Sequence, residues 1–407
     1  MAGFLAALTL GAGYNAALVT IGAGLLGLSA GMAGSFLVLR KRALVSDAMA
    51  HATLPGIGVA FLIMVALGQD GRSLPGLLIG AAASAVIGLG LVDWVVRRTR
   101  LAEDAAIGAV LSVFFGLGVV ILTVIQALDR GRQAGLEDFL LGATAGMLFD
   151  DALLIAVGGA VVMAAVWFLR RPMTLVAFDP GHAAAIGVPV ARVDLALMGL
   201  VMSVTVIGLM LVGLVLIVAL LIIPAVTARF WTDRVEPMVW IAGAVGGAAG
   251  YLGAALSASA PDVPTGPIIV LFAAALFALS LLLAPRRGVL AALLARRRFH
   301  ARVHLRQGLL ALARAEPILD PLTLRVLRAQ GLIRPDGVAT DTGRAWAARS
   351  LRDERRWDLA RALYQDTGQG VGYDGLTPIE TVFTADQIAE LDARLGPPQA
   401  VRGPDGR

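Results

Sequence analysis

Long apolar runs separated by short polar or basic stretches make up residues 1–284 of the chain. A membrane-spanning α-helix needs ~20 predominantly apolar residues in a row, and most of the runs approach or exceed that length. They predict membrane-spanning helices near 15–39, 52–68, 75–96, 105–128, 150–169, 193–230, 238–256 and 264–284. The run 193–230 is too long for one ordinary span, so we expect two short spans or a broken, re-entrant pair there.

The pattern changes after Arg287, where charged residues begin to alternate with shorter apolar stretches. We therefore predict an all-α transmembrane domain of about eight or nine membrane segments at 1–287, followed by a basic linker helix at 288–299. Residues 300–395 read as helix, helix, short hairpin, helix, which is a winged-helix-like order. The closing segment 396–407 is rich in glycine and proline, and we expect it to be disordered.

Composition agrees with this division into a lipid-embedded part and a charged part. The chain is 58% hydrophobic; 29 charged residues lie among the first 284 residues and 34 among the remaining 123. The chain has no cysteine, which excludes disulfides and thiolate metal sites. The formal charge of +5 comes from the C-terminal part, and arginines beside a membrane are explained by its anionic surface. Nucleic acid is therefore not expected as a partner.

The distribution of basic residues predicts the orientation of the chain in the membrane. Clusters of arginine and lysine fall in alternate loops, at Arg40–Arg42, Arg97–Arg100, Arg170–Arg171 and Arg286–Arg287. Basic loops are retained on the cytoplasmic side, so the N-terminus is predicted outside and the C-terminal domain in the cytoplasm. Arg130 and Arg132 fall on the predicted outer side and depart from the pattern.

The lysine content bears on how such a protein could be energised. Lys41 is the only lysine of the chain, and it lies in the sequence Arg40-Lys41-Arg42. A P-loop ATPase needs the motif G-x-x-x-x-G-K-[ST], which does not surround Lys41. The chain is therefore predicted not to be an enzyme that hydrolyses ATP, and any ATP-driven step requires a separate subunit.

The segment Asp47-Ala-Met-Ala-His51-Ala-Thr-Leu-Pro55-Gly56 places ionisable residues in an apolar region. Asp47 and His51 are four residues apart, so they share one face of a helix. A carboxylate and an imidazole suit a borderline divalent cation, and ionisable groups at membrane depth often line a transport path. The alternative is a hydrogen-bonded polar pair that only holds helices together.

Proline and glycine predict where the apolar helices are interrupted. Pro55 has no N–H to donate to the carbonyl of His51, so we predict a helix break at Pro55 and Gly56. Within the long run 193–230, Pro224 predicts a second break.

Five segments in order make the chain resemble the inner-membrane permeases of bacterial zinc, manganese and iron ABC importers. These segments are Gly34–Arg40 continuing to Asp47–Gly56, Glu103–Gly108, Phe139–Gly142, Leu221–Ala228 and Thr265–Val270. The resemblance implies a type II importer fold and a second permease copy or paralogue around one pathway. It also implies cytoplasmic ATPase subunits, an extracytoplasmic metal-binding donor protein and a bacterial inner-membrane location among membrane lipids. No permanently bound cofactor is implied; zinc, manganese or iron is the transported ion, with Asp47 and His51 as its ligands.

The segment Phe178–Pro189 is similar to the cytoplasmic loop by which such permeases engage their ATPase. The resemblance assigns ATPase coupling to Asp179, Pro180, His182, Ala184, Gly187 and Pro189. The orientation predicted from the basic clusters places this loop on the cytoplasmic side.

The tail resembles the winged-helix extension that some of these permeases carry, akin to iron-dependent repressors. A histidine-containing segment is expected in its last helix, whereas this chain has Asp353-Glu-Arg-Arg-Trp357-Asp358. We therefore do not expect tight transition-metal sensing by the tail, and docking to the ATPase is the preferred role.

Three other functions remain open at this stage. A permease for a metal chelate would need a wide polar cavity, and a secondary transporter would use Asp47 and His51 for proton coupling. A membrane-anchored metal-responsive regulator would need a DNA-binding tail. The sequence does not distinguish zinc from manganese or iron.

Overall fold

The structure is a computed structural model, and its described residues fall into two compact units. It describes residues 2–68, 73–127, 149–259, 263–364 and 373–397. The units are Met1–Val289 and Leu290–Arg407. The predicted motif Phe139–Gly142, Arg130, Arg132 and most of the predicted tail 396–407 lie outside the described residues.

The first unit is a bundle of α-helices throughout its described residues. Its helices are α1 (Ala2–Leu8), α2 (Tyr14–Leu39), α3 (Ala43–Ala66), α4 (Leu74–Arg98), α5 (Glu103–Gln126), α6 (Phe149–Phe178), α7 (Pro180–Ala185), α8 (Val190–Val212), α9 (Leu214–Arg229), α10 (Val235–Ser257) and α11 (Thr265–Leu283). Among the described residues, eight helices are long and apolar enough to cross a membrane, as predicted, and α9 contains a shorter apolar helix.

Helix α6 is longer than its apolar run predicted. The run ends at 169, but the helix continues through Arg170 and Arg171 to Phe178. Arginine is a good helix former, so a charged pair ends the apolar run without ending the helix.

The long run 193–230 is divided at Gly213, which separates α8 from α9. Gly213 has a φ of 79°, in the left-handed region where residues with a Cβ are disfavoured. The two helical pieces confirm that the run does not form one continuous helix.

The helices continue across the positions Pro55, Gly56 and Pro224, where breaks were predicted. Both prolines lie inside continuous helices, α3 and α9. A proline removes a single donor, and packing against neighbouring helices maintains the helix across it. Gly56 serves this packing, because a Cβ there would lie 2.1 Å from the carbonyl oxygen of Gly80 on α4.

Helix α2 lies at the centre of the first unit and packs most extensively against α10. Glycines allow the two backbones to touch: a Cβ at Gly27 would lie 2.1 Å from the carbonyl oxygen of Gly246. A Cβ at Gly31 would lie 2.2 Å from that of Ala242. Small residues at such contacts are the usual device for packing membrane helices.

The second unit is also mainly helical in its described part. It contains α12 (Val289–Arg314), which begins at the border of the units, α13 (Pro321–Ala329), α14 (Asp341–Leu363), a 3₁₀ helix (Ile379–Thr381) and α15 (Ala385–Leu395). A turn at Pro335–Gly337 is accompanied by an antiparallel bridge between Ile333 and Ala339. Helix α12 runs without interruption through the predicted border at 299/300, and α15 was not predicted.

The second unit has two small apolar cores. One joins α12, α13 and the hairpin, and contains Leu309, Leu327, Leu332, Ile333 and Ala347. The other surrounds the buried indole of Trp357, and contains Ala360, Ile379, Phe383 and Leu391. The Trp357 indole also stacks on Tyr373, with ring centroids 4.4 Å apart.

Candidate functional site

Asp47 and His51 lie together in the N-terminal half of α3, as the four-residue spacing predicts. His51 Nε2 is 3.5 Å from Asp47 Oδ1, a separation that permits an ion pair but exceeds an ordinary hydrogen bond. The two side chains therefore share one face, and neither is held by a tight bond to the other.

The face of α3 that carries this pair is open in the described part of the chain. The side chains of Asp47 and His51 are 39% and 19% exposed, and Leu44, one turn earlier, is 52% exposed. By contrast, Ala48 and Ala52 on the other side of the helix are almost fully buried. The polar pair thus points away from the core of the unit.

The imidazole of His51 is positioned by an aromatic ring. Phe115 of α5 meets it edge to face, with ring centroids 5.0 Å apart. His51 Nδ1 is buried and has no hydrogen-bond partner among the described residues. Within those residues the ring is thus oriented by packing, and no second hydrogen bond selects its tautomer.

The donor set suits a divalent transition metal in kind but not in number. One carboxylate and one imidazole are both common ligands of zinc-like ions, yet such sites take about four donors. The described residues contain no group of three or more histidine, aspartate or glutamate side chains placed to hold a metal. Alone, the pair could bind an ion only weakly.

The residues predicted to engage an ATPase form a short helix between α6 and α8. Asp179 caps α7 by accepting a hydrogen bond from the backbone N–H of His182 at 2.8 Å, and Pro180 occupies the first turn. The helix ends before Gly187, whose φ of 85° turns the chain towards Pro189 and α8.

The surface of α7 is exposed on one side and anchored on the other. Ala183 is fully buried in the unit, whereas His182 and Ala184 are exposed. The exposed face of α7 is therefore accessible, and its side chains other than that of His182 are small.

A charged cluster beside α7 was not predicted from the sequence. Arg40 Nη2 donates to Asp194 Oδ2 at 2.6 Å, and Arg40 Nη1 donates to the carbonyl of Val176 at 2.9 Å. Arg42 Nε lies 2.9 Å from Glu103 Oε1. Together they join the loop after α2 to the start of α5, the end of α6 and the start of α8.

All these charged residues are evident in the sequence, but the sequence does not predict which of them pair. Arg40 and Asp194 are 154 positions apart, and each has a local explanation, as a basic loop residue or a helix-start carboxylate. By contrast, Asp93 and Arg97 lie four residues apart on α4, so helical spacing alone brings them together, and they pair at 2.8 Å.

In the second unit, the carboxylates of Asp353 and Asp358 are engaged in ion pairs. Asp353 Oδ1 is 2.7 Å from Arg356 Nη1, and Asp358 pairs with Arg361. Burial raises the pKa of Asp353, even though Arg356 opposes that shift. These carboxylates bind arginines within the unit.

His300 and His304 share a face of α12, with ring centroids 6.5 Å apart. Only His304 reaches α13, where its Nδ1 lies 3.0 Å from both Asp320 Oδ2 and Thr323 Oγ1. Hydrogen bonds from Thr323 are the main cause of the lowered pKa of Asp320. His304 therefore joins two helices of the unit, while His300 is exposed.

Comparison with known proteins places the first unit in a family. The profile described as the ABC 3 transport family matches residues 14–284. The manganese transport system membrane protein MntC of Bacillus subtilis (strain 168) is 42% identical over 298 residues, 73% of this chain and 67% of the relative. The zinc transport system membrane protein TroC of Treponema pallidum (strain Nichols) is 38% identical over 285 residues, 70% of this chain and 94% of the relative.

A solved structure has the same fold. The structure described as PsaBC from Streptococcus pneumoniae in complex with Fab superposes with a TM-score of 0.60 and 29% identity. The match covers 70% of this chain and 97% of that one. The family match contains α2, α3 with the Asp47 and His51 pair, and α7. On this evidence the chain belongs to the ABC 3 transport family.

Proposed function

We propose that this chain is the membrane permease subunit of an ATP-driven importer that carries a divalent transition metal ion into the cytoplasm. The observation that carries the proposal is the Asp47 and His51 pair, on an open face of a membrane helix in a chain of this family. Relatives named for manganese and for zinc transport support a metal as cargo.

The pair supplies half of a metal site, and a second permease copy or a paralogue supplies the rest. Two copies that meet across the open face of α3 bring two carboxylates and two imidazoles to one point of the pathway. Four such donors satisfy a zinc-like ion. An ion held only by this meeting of faces is released when they separate, which a conduit requires.

The packing around His51 supports this role over that of a simple helix lock. A polar pair that serves only to join helices makes its bonds inside the bundle. Here the 3.5 Å separation is long and His51 Nδ1 has no partner among the described residues, so within those residues the pair makes no hydrogen bond that joins two helices.

Energy for transport comes from cytoplasmic ATPase subunits that bind the segment Asp179–Pro189. The exposed side of α7 carries Ala184 and His182, and a helix with small side chains fits a groove in a partner. The pair of Arg40 and Asp194 joins the loop before α3 to the start of α8, which follows α7 in the chain. Movement of α7 can thus reach the helix that carries Asp47 and His51.

The permease lies in a bacterial membrane and receives its ion from a separate protein. The eight apolar helices fit the bacterial inner membrane, with the N-terminus outside and the C-terminal unit in the cytoplasm. The ion arrives from an extracytoplasmic metal-binding protein. No cofactor is bound permanently.

The second unit, from 300 to 395, acts as a winged-helix-like module that contacts the ATPase. The order α12, α13, hairpin, α14 supports the winged-helix comparison. Its acidic residues Asp353 and Asp358 are committed to arginines, which supports a role other than metal sensing.

The test replaces the pair and measures metal uptake. Asp47→Ala and His51→Ala are each expected to reduce uptake of labelled manganese or zinc to the level of cells without the permease, because two of four donors are lost in a dimer. The ATPase should still co-purify with both variants.

Matched controls remove the same groups elsewhere in the chain. Asp93→Ala deletes an exposed carboxylate that pairs with Arg97, and His300→Ala deletes an exposed imidazole of the second unit. Both should transport normally. Normal uptake by Asp47→Ala and His51→Ala would falsify the conduit assignment.

A further inference from the structure

A groove between α2, α6 and α10 lies on a different part of the first unit from the open face of α3. Its volume is about 400 Å³. Its lining includes Met32 and Phe36 of α2, Val166 of α6, and Val239 of α10, all buried and apolar. The floor therefore suits a hydrocarbon chain.

Two indoles and two arginines also line the groove. The rings of Trp167 and Trp240 are tilted against each other, with centroids 5.7 Å apart, and both side chains are partly exposed. Arg170 and Arg171 follow on α6, and Glu236 lies in the first turn of α10. Tryptophan and arginine together mark the headgroup level of a membrane.

The apolar stretch of α6 places these arginines at that level independently. The charged pairs Asp150–Asp151 and Arg170–Arg171 enclose the apolar residues 152–169, close to the ~20 residues that cross the hydrocarbon core. Along α6 the lining extends from Val166, on the hydrocarbon side of the arginines, to Leu175 beyond them.

The two arginines differ in how firmly they are held. Arg170 packs over the Trp167 ring at 3.6 Å, donates to the Trp167 carbonyl at 2.6 Å, and lies 3.5 Å from Glu236. Arg171 is exposed and has no ion-pair partner among the described residues. The lining contains two guanidinium groups and one carboxylate, so the groove carries a net positive charge.

We propose that this groove binds one anionic phospholipid, with the phosphate at Arg171 and an acyl chain over Met32 and Val239. Basic pockets between membrane helices recognise anionic headgroups in this way. The apolar side chains Val157, Val161 and Phe168 of α6 are exposed, which suits a helix bordered by lipid. The proposal requires only that the bundle spans a bilayer, so it does not depend on which ion is transported.

The test measures lipid binding to the full-length chain purified in detergent. Native mass spectrometry compares phosphatidylglycerol with phosphatidylcholine of the same acyl chains. We expect phosphatidylglycerol to be retained preferentially, and Arg171→Ala to bind it about fivefold more weakly, the effect of one arginine near an anionic surface. Glu236→Gln should bind it more tightly, because a competing negative charge is removed.

Two further variants test whether lipid binding depends on the groove itself, and not on the total positive charge or on misfolding of the chain. Thr174→Phe fills the groove, leaves both arginines in place and should exclude the lipid. Arg98→Ala removes an exposed arginine at the end of α4, outside the groove, and should bind like wild type.

Three results would overturn the proposal. The first is equal retention of both lipids by the wild-type chain. The second is a loss in Arg98→Ala as large as that in Arg171→Ala. The third is unchanged lipid binding by Arg171→Ala and Thr174→Phe together with loss of the co-purifying ATPase, which would make the groove a protein contact.

Discussion

At the scale of single residues, glycines decide how closely the membrane helices approach. Gly27 and Gly246 face each other between α2 and α10, and a Cβ at either would lie 2.1 Å from the backbone oxygen opposite. No rotamer relieves such an overlap, because the atoms that collide belong to the backbone. Substitution there must move one helix relative to the other.

We therefore predict that Gly27→Ala destabilises the bundle by ~1–3 kcal/mol, the usual effect of overpacking. The measurement is the apparent melting temperature of the purified chain in detergent. Gly90→Ala is the matched control, because Gly90 lies in α4 with no atom within 4 Å of its added Cβ. That change should be neutral or stabilising by up to ~1 kcal/mol through helix propensity. An equal loss of stability in the two variants would contradict the packing argument.

The polar residues show how far the sequence predicts contacts at this scale. The pair of Asp47 and His51 was predicted, because four residues make about one helical turn; the same spacing accounts for the pair of Asp93 and Arg97. The pair of Arg40 and Asp194 was not predicted, because no local rule relates side chains on α2 and α8.

At the scale of elements, α7 and the glycine that ends it are the part proposed to transmit motion. Gly187 has a φ of 85°, and no atom lies within 4 Å of a Cβ added to it. The glycine is therefore required by the backbone angle, and a side chain there would have room. A β-branched residue in this backbone region is strained, and the chain would leave α7 in another direction.

We predict that Gly187→Val uncouples ATP hydrolysis from transport. In proteoliposomes that contain the ATPase, hydrolysis should continue while metal uptake per ATP falls. Gly68→Val is the control, since Gly68 follows α3 with a φ of 78° and equally open surroundings. It should impose the same strain without loss of coupling. Preserved coupling in Gly187→Val, or equal uncoupling in both variants, would contradict the role of α7.

At the scale of the whole molecule, the two units differ in what holds them together. The first buries apolar and small side chains, whereas the second combines two small cores with arginine–carboxylate pairs. Asp392 accepts from Arg356 at 2.8 Å and 2.5 Å, and these bonds lower the pKa of Asp392. The family match ends at residue 284, before the second unit begins.

We predict that truncation after Gly288 keeps basal metal transport and changes its regulation or the assembly with the ATPase. The cut lies next to the border of the units, so the bundle retains all of α2 to α11. Uptake and ATPase co-purification are the measurements, and truncation after Pro397, which spares α15, is the control. Complete loss of transport by a truncated chain that still inserts and dimerises would show that the second unit belongs to the transport machinery.

The sequence by itself determined the parts of this protein that depend on local properties. Apolar run length predicted the membrane helices to within a few residues at most ends, and helical periodicity placed Asp47 beside His51. The tertiary structure decided the features that depend on contacts between residues far apart in the sequence. Of several candidate helix breakers in the chain, Gly213 divides a helix, whereas Pro55 and Pro224 do not, because packing compensates for a missing donor but not for a left-handed backbone angle. Likewise, the pairing of Arg40 with Asp194 and the groove between α2, α6 and α10 exist only where distant helices meet.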